Sequence, residues 1–146
     1  MTDGELSMLL RAKGVTRRRP VVIAFLGSNP TDFGAAARVY WTLKSAGVER
    51  IAILDGGIKA WVDARLPLTT QPVTPNPSGI RTTFSNRWLA TRDEVKAISG
   101  GFAEGTLVDA RPDVFLSGKT KHPAAKNAGT IPNAQQFLFT KWFDGK

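Results

Sequence analysis

Residues 50–61, RIAILDGGIKAW, decide how this chain is read. Ile51, Ala52, Ile53 and Leu54 form a short apolar run closed by turn residues, which predicts a buried strand. Asp55, Gly56 and Gly57 break the run. Glycine accepts positive φ and close backbone approach, so the chain can turn sharply off the strand end. Asp55 is expected to accept hydrogen bonds from backbone N–H groups of this turn. Ile58, Trp61 and Val62 then recur at i, i+3 and i+4, one face of a short helix, with Trp61 as its core anchor. No second carboxylate or base near Asp55 in sequence would make it a catalytic acid.

Working upstream, Pro20 precedes VVIAF at 21–25, a run rich in β-branched residues that reads as a buried, parallel-type strand. LGSNPTDF at 26–33 is a loop of turn formers. A helix is expected from Phe33 or Gly34, with Ala36, Val39, Tyr40 and Leu43 on its apolar face, Trp41 widening it and Gly47 ending it. Strand, loop, helix and strand make a βαβ unit, with parallel pairing and a right-handed connection. At the N-terminus Thr2 and Glu5 have the spacing of a capping box, which opens a helix over 3–13 closed at Gly14.

Downstream, LPLTTQPVTPNPSG at 66–79 holds four prolines and no helical or strand period. It reads as a semi-rigid linker, giving a first half at 1–65, a linker at 66–80 and a second half at 81–146. Residues 81–89 read as a strand or extended arm. Thr91 and Glu94 repeat the capping-box spacing and open a helix to about Ser99. TLVDA at 106–110 is a short strand ended by Arg111-Pro112, 119–129 is a basic loop, and Ile131-Pro132-Asn133-Ala134 leads into a strand at 135–139.

Composition narrows the chemistry. The chain has no cysteine and one histidine, His122, so disulfides, thiolate metal sites, cysteine nucleophiles and multi-histidine metal sites are excluded. No metal or cofactor is expected. The net charge of +8 is spread evenly: residues 1–70 hold ten Lys/Arg against six Asp/Glu, and 71–146 hold the same. A nucleic-acid arm would concentrate its charge, and no aromatic-basic interleaving accompanies Arg17–Arg19, so no nucleic-acid partner is expected. No apolar run reaches the ~18 residues of a membrane span, and the first twenty residues are not a secretory signal. The sequence reads as soluble and without a membrane partner. As written it is cytoplasmic, while a longer parent could be periplasmic, so the compartment stays open.

Several of these stretches together resemble the rhodanese-like tandem sulfurtransferases, the thiosulfate and 3-mercaptopyruvate enzymes. VVIAF, AAARVYWTLKSAGV at 35–48 and IAILDGGIKAW are similar to the second half of a rhodanese domain. TLVDARPDVF at 106–115 and GTIPNA at 129–134 are similar to the first half of the next one. The resemblance implies an α/β fold, a parallel sheet flanked by helices, here either incomplete or a composite of two half-domains. In the composite, the strands at 21–25 and 106–109 are sheet neighbours; otherwise each half keeps open sheet edges.

The resemblance also implies sulfur transfer. In the family, a cysteine after the strand matching 21–25, but in the second domain, takes a sulfur atom as a persulfide and passes it to cyanide or a thiol. Backbone N–H groups before a helix stabilise the anion. Here Phe25 or Leu26 stands where a nucleophile would sit, as in the family's inactive first domain, and the second half ends before its own active loop. This chain is therefore expected to be inactive by itself, a fragment of a longer sulfurtransferase whose remainder is its partner. Small anionic sulfur compounds are the expected ligands of the parent protein. One family arginine that grips substrate corresponds to Val114, so Arg111, Lys119, Lys121, His122 and Lys126 are the candidate substrate-binding residues. Asp55, Gly56, Gly57, Trp61, Asp109, Ile131 and Pro132 are structural, with Asp109 and Arg111 expected to pair at a strand end. The alternative is a non-catalytic module that holds small oxyanions or a protein partner in the 26–33 loop.

Overall fold

The computed structural model of the chain describes residues 2–143; Met1 and the last three residues of the second half, 144–146, lie outside them. Two compact units are present, Met1–Trp88 and Leu89–Lys146.

The first unit opens with α1, Asp3–Ala12. Both arms of its capping box form: the Glu5 N–H donates to Thr2 Oγ1 at 3.2 Å and the Thr2 N–H to Glu5 Oε2 at 2.6 Å. Two of the N–H groups that a helix start leaves unpaired are satisfied in this way. Strands β1, Val21–Ile23, and β2, Ile51–Ile53, pair in parallel with Val21 opposite Ile51 and Ile23 opposite Ile53. Helix α2, Pro30–Ser45, makes the crossover between them, and α3, Gly57–Asp63, follows β2.

Strand β1 is shorter than its apolar run because the pairing changes partner. The Phe25 and Leu26 carbonyls accept from the N–H groups of Ile58 at 2.8 Å and Lys59 at 3.0 Å, in the first turn of α3. Helix α2 begins earlier than its apolar pattern suggests. Asn29 is its N-cap, accepting from the Asp32 N–H at 3.0 Å. Pro30 takes the first helical position, where its missing N–H costs nothing.

The core of this unit is Leu6, Leu10, Ile23, Ala36, Leu43, Ala46, Val48 and Ile80. Full burial of each larger aliphatic side chain is worth about 1.5–3 kcal/mol relative to exposure. Ile80 corrects the expected boundary. The segment after the prolines is laid along α1: Arg11 Nε donates to the Ile80 carbonyl at 2.7 Å, the Thr82 N–H to Ser7 Oγ at 3.0 Å and the Phe84 N–H to Asp3 Oδ1 at 3.0 Å. Residues 81–88 therefore pack with the first unit and do not open the second. They form an extended arm, not a strand, and end in a 3₁₀ turn at Asn86–Trp88.

The second unit contains α4, Arg92–Ser99, then β3, Val108–Asp109, α5, Asp113–Leu116, and β4, Gln135–Gln136. A 3₁₀ turn at Phe139–Trp142 follows. Strands β3 and β4 are parallel, with Val108 opposite Gln135. The pairing extends past the strand ends through Gln135 N–H to Leu107 O at 2.8 Å and Phe137 N–H to Asp109 O at 3.0 Å. No described residue of this unit is fully buried.

The fold is α/β and rhodanese-like, and it is incomplete. Among the described residues there are two sheets of two strands each, β1 with β2 and β3 with β4. The composite pairing of 21–25 with 106–109 is not present among the described strands: β1 pairs with β2 and β3 with β4. Val22 and Val108 are left 61% and 58% exposed on strands whose sequence reads as buried. Among the described residues, no helix is long and apolar enough to cross a membrane.

Candidate functional site

The loop at 26–33 leaves β1 and enters α2, the position where open α/β sheets present ligands. Leu26 is 63% exposed at its start. Phe25 turns inward and meets Phe33 edge to face at 5.5 Å between ring centres. Neither side chain can act as a nucleophile.

The loop already holds an anion of its own. Asp32 Oδ2 accepts from the Gly27 N–H at 2.7 Å, the Ser28 N–H at 3.1 Å and Ser28 Oγ at 3.3 Å. The Ser28 N–H, and with it the other loop donors, holds the Asp32 carboxyl below its ordinary value. Backbone donors that could receive a ligand are occupied by a residue of the next turn. This residue was not singled out from the sequence, although Asn29-Pro30-Thr31-Asp32 carries the signal: an N-cap, a proline at N1 and an acid in the first helical turn. Ser28 Oγ also accepts from Asn29 Nδ2 at 3.0 Å.

Gly56 and Gly57 adopt positive φ at +65°. A Cβ at Gly57 would lie 2.6 Å from the Phe25 carbonyl, and one at Gly27 would lie 2.2 Å from the Gly56 carbonyl. The two glycine turns are thus pressed together. The Asp55 expectation is corrected here. Among the described residues the Asp55 carboxylate accepts no backbone N–H: the Gly57 N–H goes to Leu54 O at 3.1 Å, and the N–H groups of Ile58 and Lys59 go to the Phe25 and Leu26 carbonyls. Trp61 is half-buried, and its Nε1 donates to the Pro67 carbonyl at 3.0 Å, tying down the start of the proline segment.

In the second unit Asp109 and Arg111 come together at the end of β3. Asp109 accepts from Arg111 Nε at 2.9 Å, Arg111 Nη2 at 2.5 Å, the Arg111 N–H at 3.0 Å and Thr130 Oγ1 at 2.6 Å. Its side chain is 9% exposed. The Arg111 guanidinium holds its carboxyl far below the ordinary carboxylate range, with Thr130 adding to the effect. Arg111 Nη2 also donates to the Gly129 carbonyl at 3.0 Å. These bonds tie the strand end to the loop at 129–130. Arg111 stays 48% exposed, but its charge is directed at Asp109.

The other candidates are scattered along an exposed loop. Lys121 Nζ donates to the Lys126 carbonyl at 3.1 Å, and His122 Nδ1 accepts from the Ala124 N–H at 3.2 Å. Lys119 and Lys126 are exposed, with no side-chain partner among the described residues. Ile131 is 48% exposed. The Pro132 carbonyl accepts from Ser99 Oγ at 2.9 Å, and Asn133 Nδ2 donates to the Ser99 carbonyl at 2.9 Å, pinning the 131–134 turn to the end of α4. No group of three or more metal-ligating side chains is present among the described residues.

No protein-family model matches the chain. It is 37% identical over 146 residues to a protein of Mycolicibacterium smegmatis named "Putative thiosulfate sulfurtransferase", covering 94% of this chain and 50% of that one. It is 30% identical over 133 residues to "Putative thiosulfate sulfurtransferase SseB" of Mycobacterium tuberculosis, covering 91% of this chain and 45% of SseB. Over nearly all of its length the chain is homologous to these putative thiosulfate sulfurtransferases. It spans about half the length of the curated relatives it matches. The crystal structure of YnjE shares its fold at a TM-score of 0.76 and 24% identity, over 93% of this chain and 32% of YnjE. A structure of EanB, with ergothioneine covalently linked with a persulfide cysteine, superposes at a TM-score of 0.75 and 26% identity, over 94% of this chain and 35% of EanB. The chain thus shares the rhodanese-like fold of these solved structures.

Proposed function

We propose that this chain is the non-catalytic part of a two-domain thiosulfate or 3-mercaptopyruvate sulfurtransferase, and that it does not turn over alone. The observation that carries this reading is the 26–33 loop. It has Leu26 in place of a nucleophile, and Asp32 fills the N–H donors of Gly27 and Ser28. With no cysteine anywhere in the 146 residues, no persulfide can form on this chain. The sulfur carrier is a cysteine of the parent protein. Its thiolate attacks the outer sulfur of thiosulfate, the S–S bond breaks, sulfite leaves with the electron pair, and a persulfide remains. Cyanide or a thiolate then attacks the terminal sulfur and restores the cysteine thiolate.

The open strands support a partner role. Val22 on β1 and Val108 on β3 stand exposed in short apolar strands, the kind of surface that further sheet strands cover. The remainder of the tandem chain is the occupant that fits. The second reading, an oxyanion held in the 26–33 loop, is disfavoured by the Asp32 carboxylate already there.

A thiocyanate assay with thiosulfate and cyanide tests the first part. The chain alone should give no thiocyanate above the protein-free rate; turnover would overturn the reading. Sequencing the genomic DNA beyond the codon for Lys146 tests the second part. A strand followed by a cysteine-containing loop within about half a domain's length is expected, and its absence would remove the tandem assignment.

A further inference from the structure

The strongest unassigned feature lies in the first unit, away from the 26–33 loop in sequence. Thr16, Arg17, Arg18, Gly79, Ile80 and Arg81 line an open hollow between the chain after α1 and the arm that follows the prolines. Three arginines share it. None of them pairs with a carboxylate, and the ion pairs among the described residues lie elsewhere. Like charges repel, and among the residues that line the hollow there is no carboxylate to offset that.

The arginines are held by carbonyls. Arg17 donates from Nη1 to the Gly47 carbonyl at 2.6 Å and from Nη2 to the Arg81 carbonyl at 3.2 Å. This uses two of the five guanidinium donors. Gly47 has φ +77°, and a Cβ there would lie 2.6 Å from Arg17 Nη1, so the glycine admits this arrangement. Arg50 Nη1 holds the Arg18 carbonyl at 3.0 Å, which brings a fourth cation to the rim. The backbone N–H groups of Arg17, Arg18, Gly79 and Arg81 donate to no acceptor among the described residues. Three arginines and unpaired backbone N–H groups among the residues lining one concavity, with no carboxylate lining it, supply the donor types that suit a tetrahedral oxyanion.

We propose that this hollow binds a tetrahedral oxyanion of the sulfate, thiosulfate or phosphate type through Arg17, Arg18 and Arg81. The site does not rest on the sulfur-transfer reading, since it uses neither Leu26 nor any cysteine. Pinning Arg17 in advance lowers the ordering cost of binding.

The test is a chemical-shift titration of the full chain with sodium sulfate, thiosulfate and phosphate, against sodium chloride at matched ionic strength. A short single-stranded oligonucleotide is run in parallel as a polymeric source of phosphate. Saturable shifts of the Arg17, Arg18, Gly79 and Arg81 amides are expected with the free ions. Arg18→Gln and Arg81→Gln remove guanidinium groups that make no hydrogen bond or ion pair among the described residues, and each should weaken binding about fivefold, the upper range for an exposed charge pair. Arg38→Gln removes an equal charge from exposed α2 and should change nothing. Shifts that do not saturate, equal weakening by Arg38→Gln, or saturation with the oligonucleotide alone would each overturn the proposal. None of these results bears on the thiocyanate assay, so the two readings fail separately.

Discussion

Asp32 reaches back across the start of α2 to accept the Gly27 N–H at 2.7 Å, so the loop after β1 is closed by its own carboxylate. The first prediction concerns that bond. Asp32→Asn removes the charge from an acceptor shared by Gly27 N–H, Ser28 N–H and Ser28 Oγ. Faster amide exchange at Gly27 and Ser28 and a lower melting temperature are expected. The Ser28 N–H, first among its donors, lowers the carboxyl from 3.8 in the folded chain. Its contribution is therefore present above pH ~3.8 and is lost as pH falls through the lowered folded value. Asp32→Asn should flatten this part of the stability profile below pH ~4, as measured by thermal melts.

The glycines of the two turns should respond in opposite directions from a glycine in α2. Gly27→Ala puts a Cβ 2.2 Å from the Gly56 carbonyl at φ +85°, and Gly57→Ala puts one 2.6 Å from the Phe25 carbonyl at φ +65°. The left-handed conformation alone costs a non-glycine residue about 1–2 kcal/mol, and backbone must also move. Each change should lower stability by about 2 kcal/mol or more in urea melts. Gly34, inside α2, has nothing within 4 Å of an added Cβ. Gly34→Ala should raise stability by about 0.5–1 kcal/mol.

These residues also show what the sequence could carry. Both capping boxes, Thr2 with Glu5 and Thr91 with Glu94, form as spaced, because a cap is a contact between residues three apart and needs no tertiary knowledge. The β1–α2–β2 unit was legible for a similar reason: its apolar runs and glycines have local periods. The Asp109–Arg111 pair was legible through the family resemblance of TLVDARPDVF, which implies ion pairing at that strand end. Ile80 was not. It sits beyond four prolines in a segment without a period, and only the bonds of 78–84 to α1 bury it. Nor was the partnering of the first α3 N–H groups, since the Phe25 and Leu26 carbonyls that accept from Ile58 and Lys59 lie about thirty residues upstream.

The third prediction addresses Asp109. Its side chain is 9% exposed and accepts from Arg111 and Thr130. Asp109→Ala leaves those donors without their acceptor, and a loss of about 2 kcal/mol is expected, the scale of hydrogen bonds to a charged group. The carboxyl is held far below its ordinary 3.8, first by Arg111. Its stabilisation is present above that ordinary value and is lost as pH falls toward the folded one. Melts below pH ~4 should show a steeper loss for the native chain than for Asp109→Ala. Parallel profiles would show that the pair does not hold the strand end.

The last prediction restores a thiol where the loop lacks one. Leu26→Cys places it at the exposed start of the 26–33 loop, one residue from the Gly27 N–H that Asp32 occupies. A thiolate there meets a nearby carboxylate, which disfavours its charge and raises its pKa. The loop donors that could stabilise it are also taken. Leu26→Cys alone should react slowly with a disulfide reagent at pH 7.5. Adding Asp32→Asn removes the charge and frees part of the donor set, so the double variant should react several-fold faster at pH 7.5, with the midpoint of its pH–rate profile shifted to lower pH. Equal rates would mean that Asp32 does not govern the anion environment of the loop. The sulfur-free state of this half would then rest on the missing nucleophile alone.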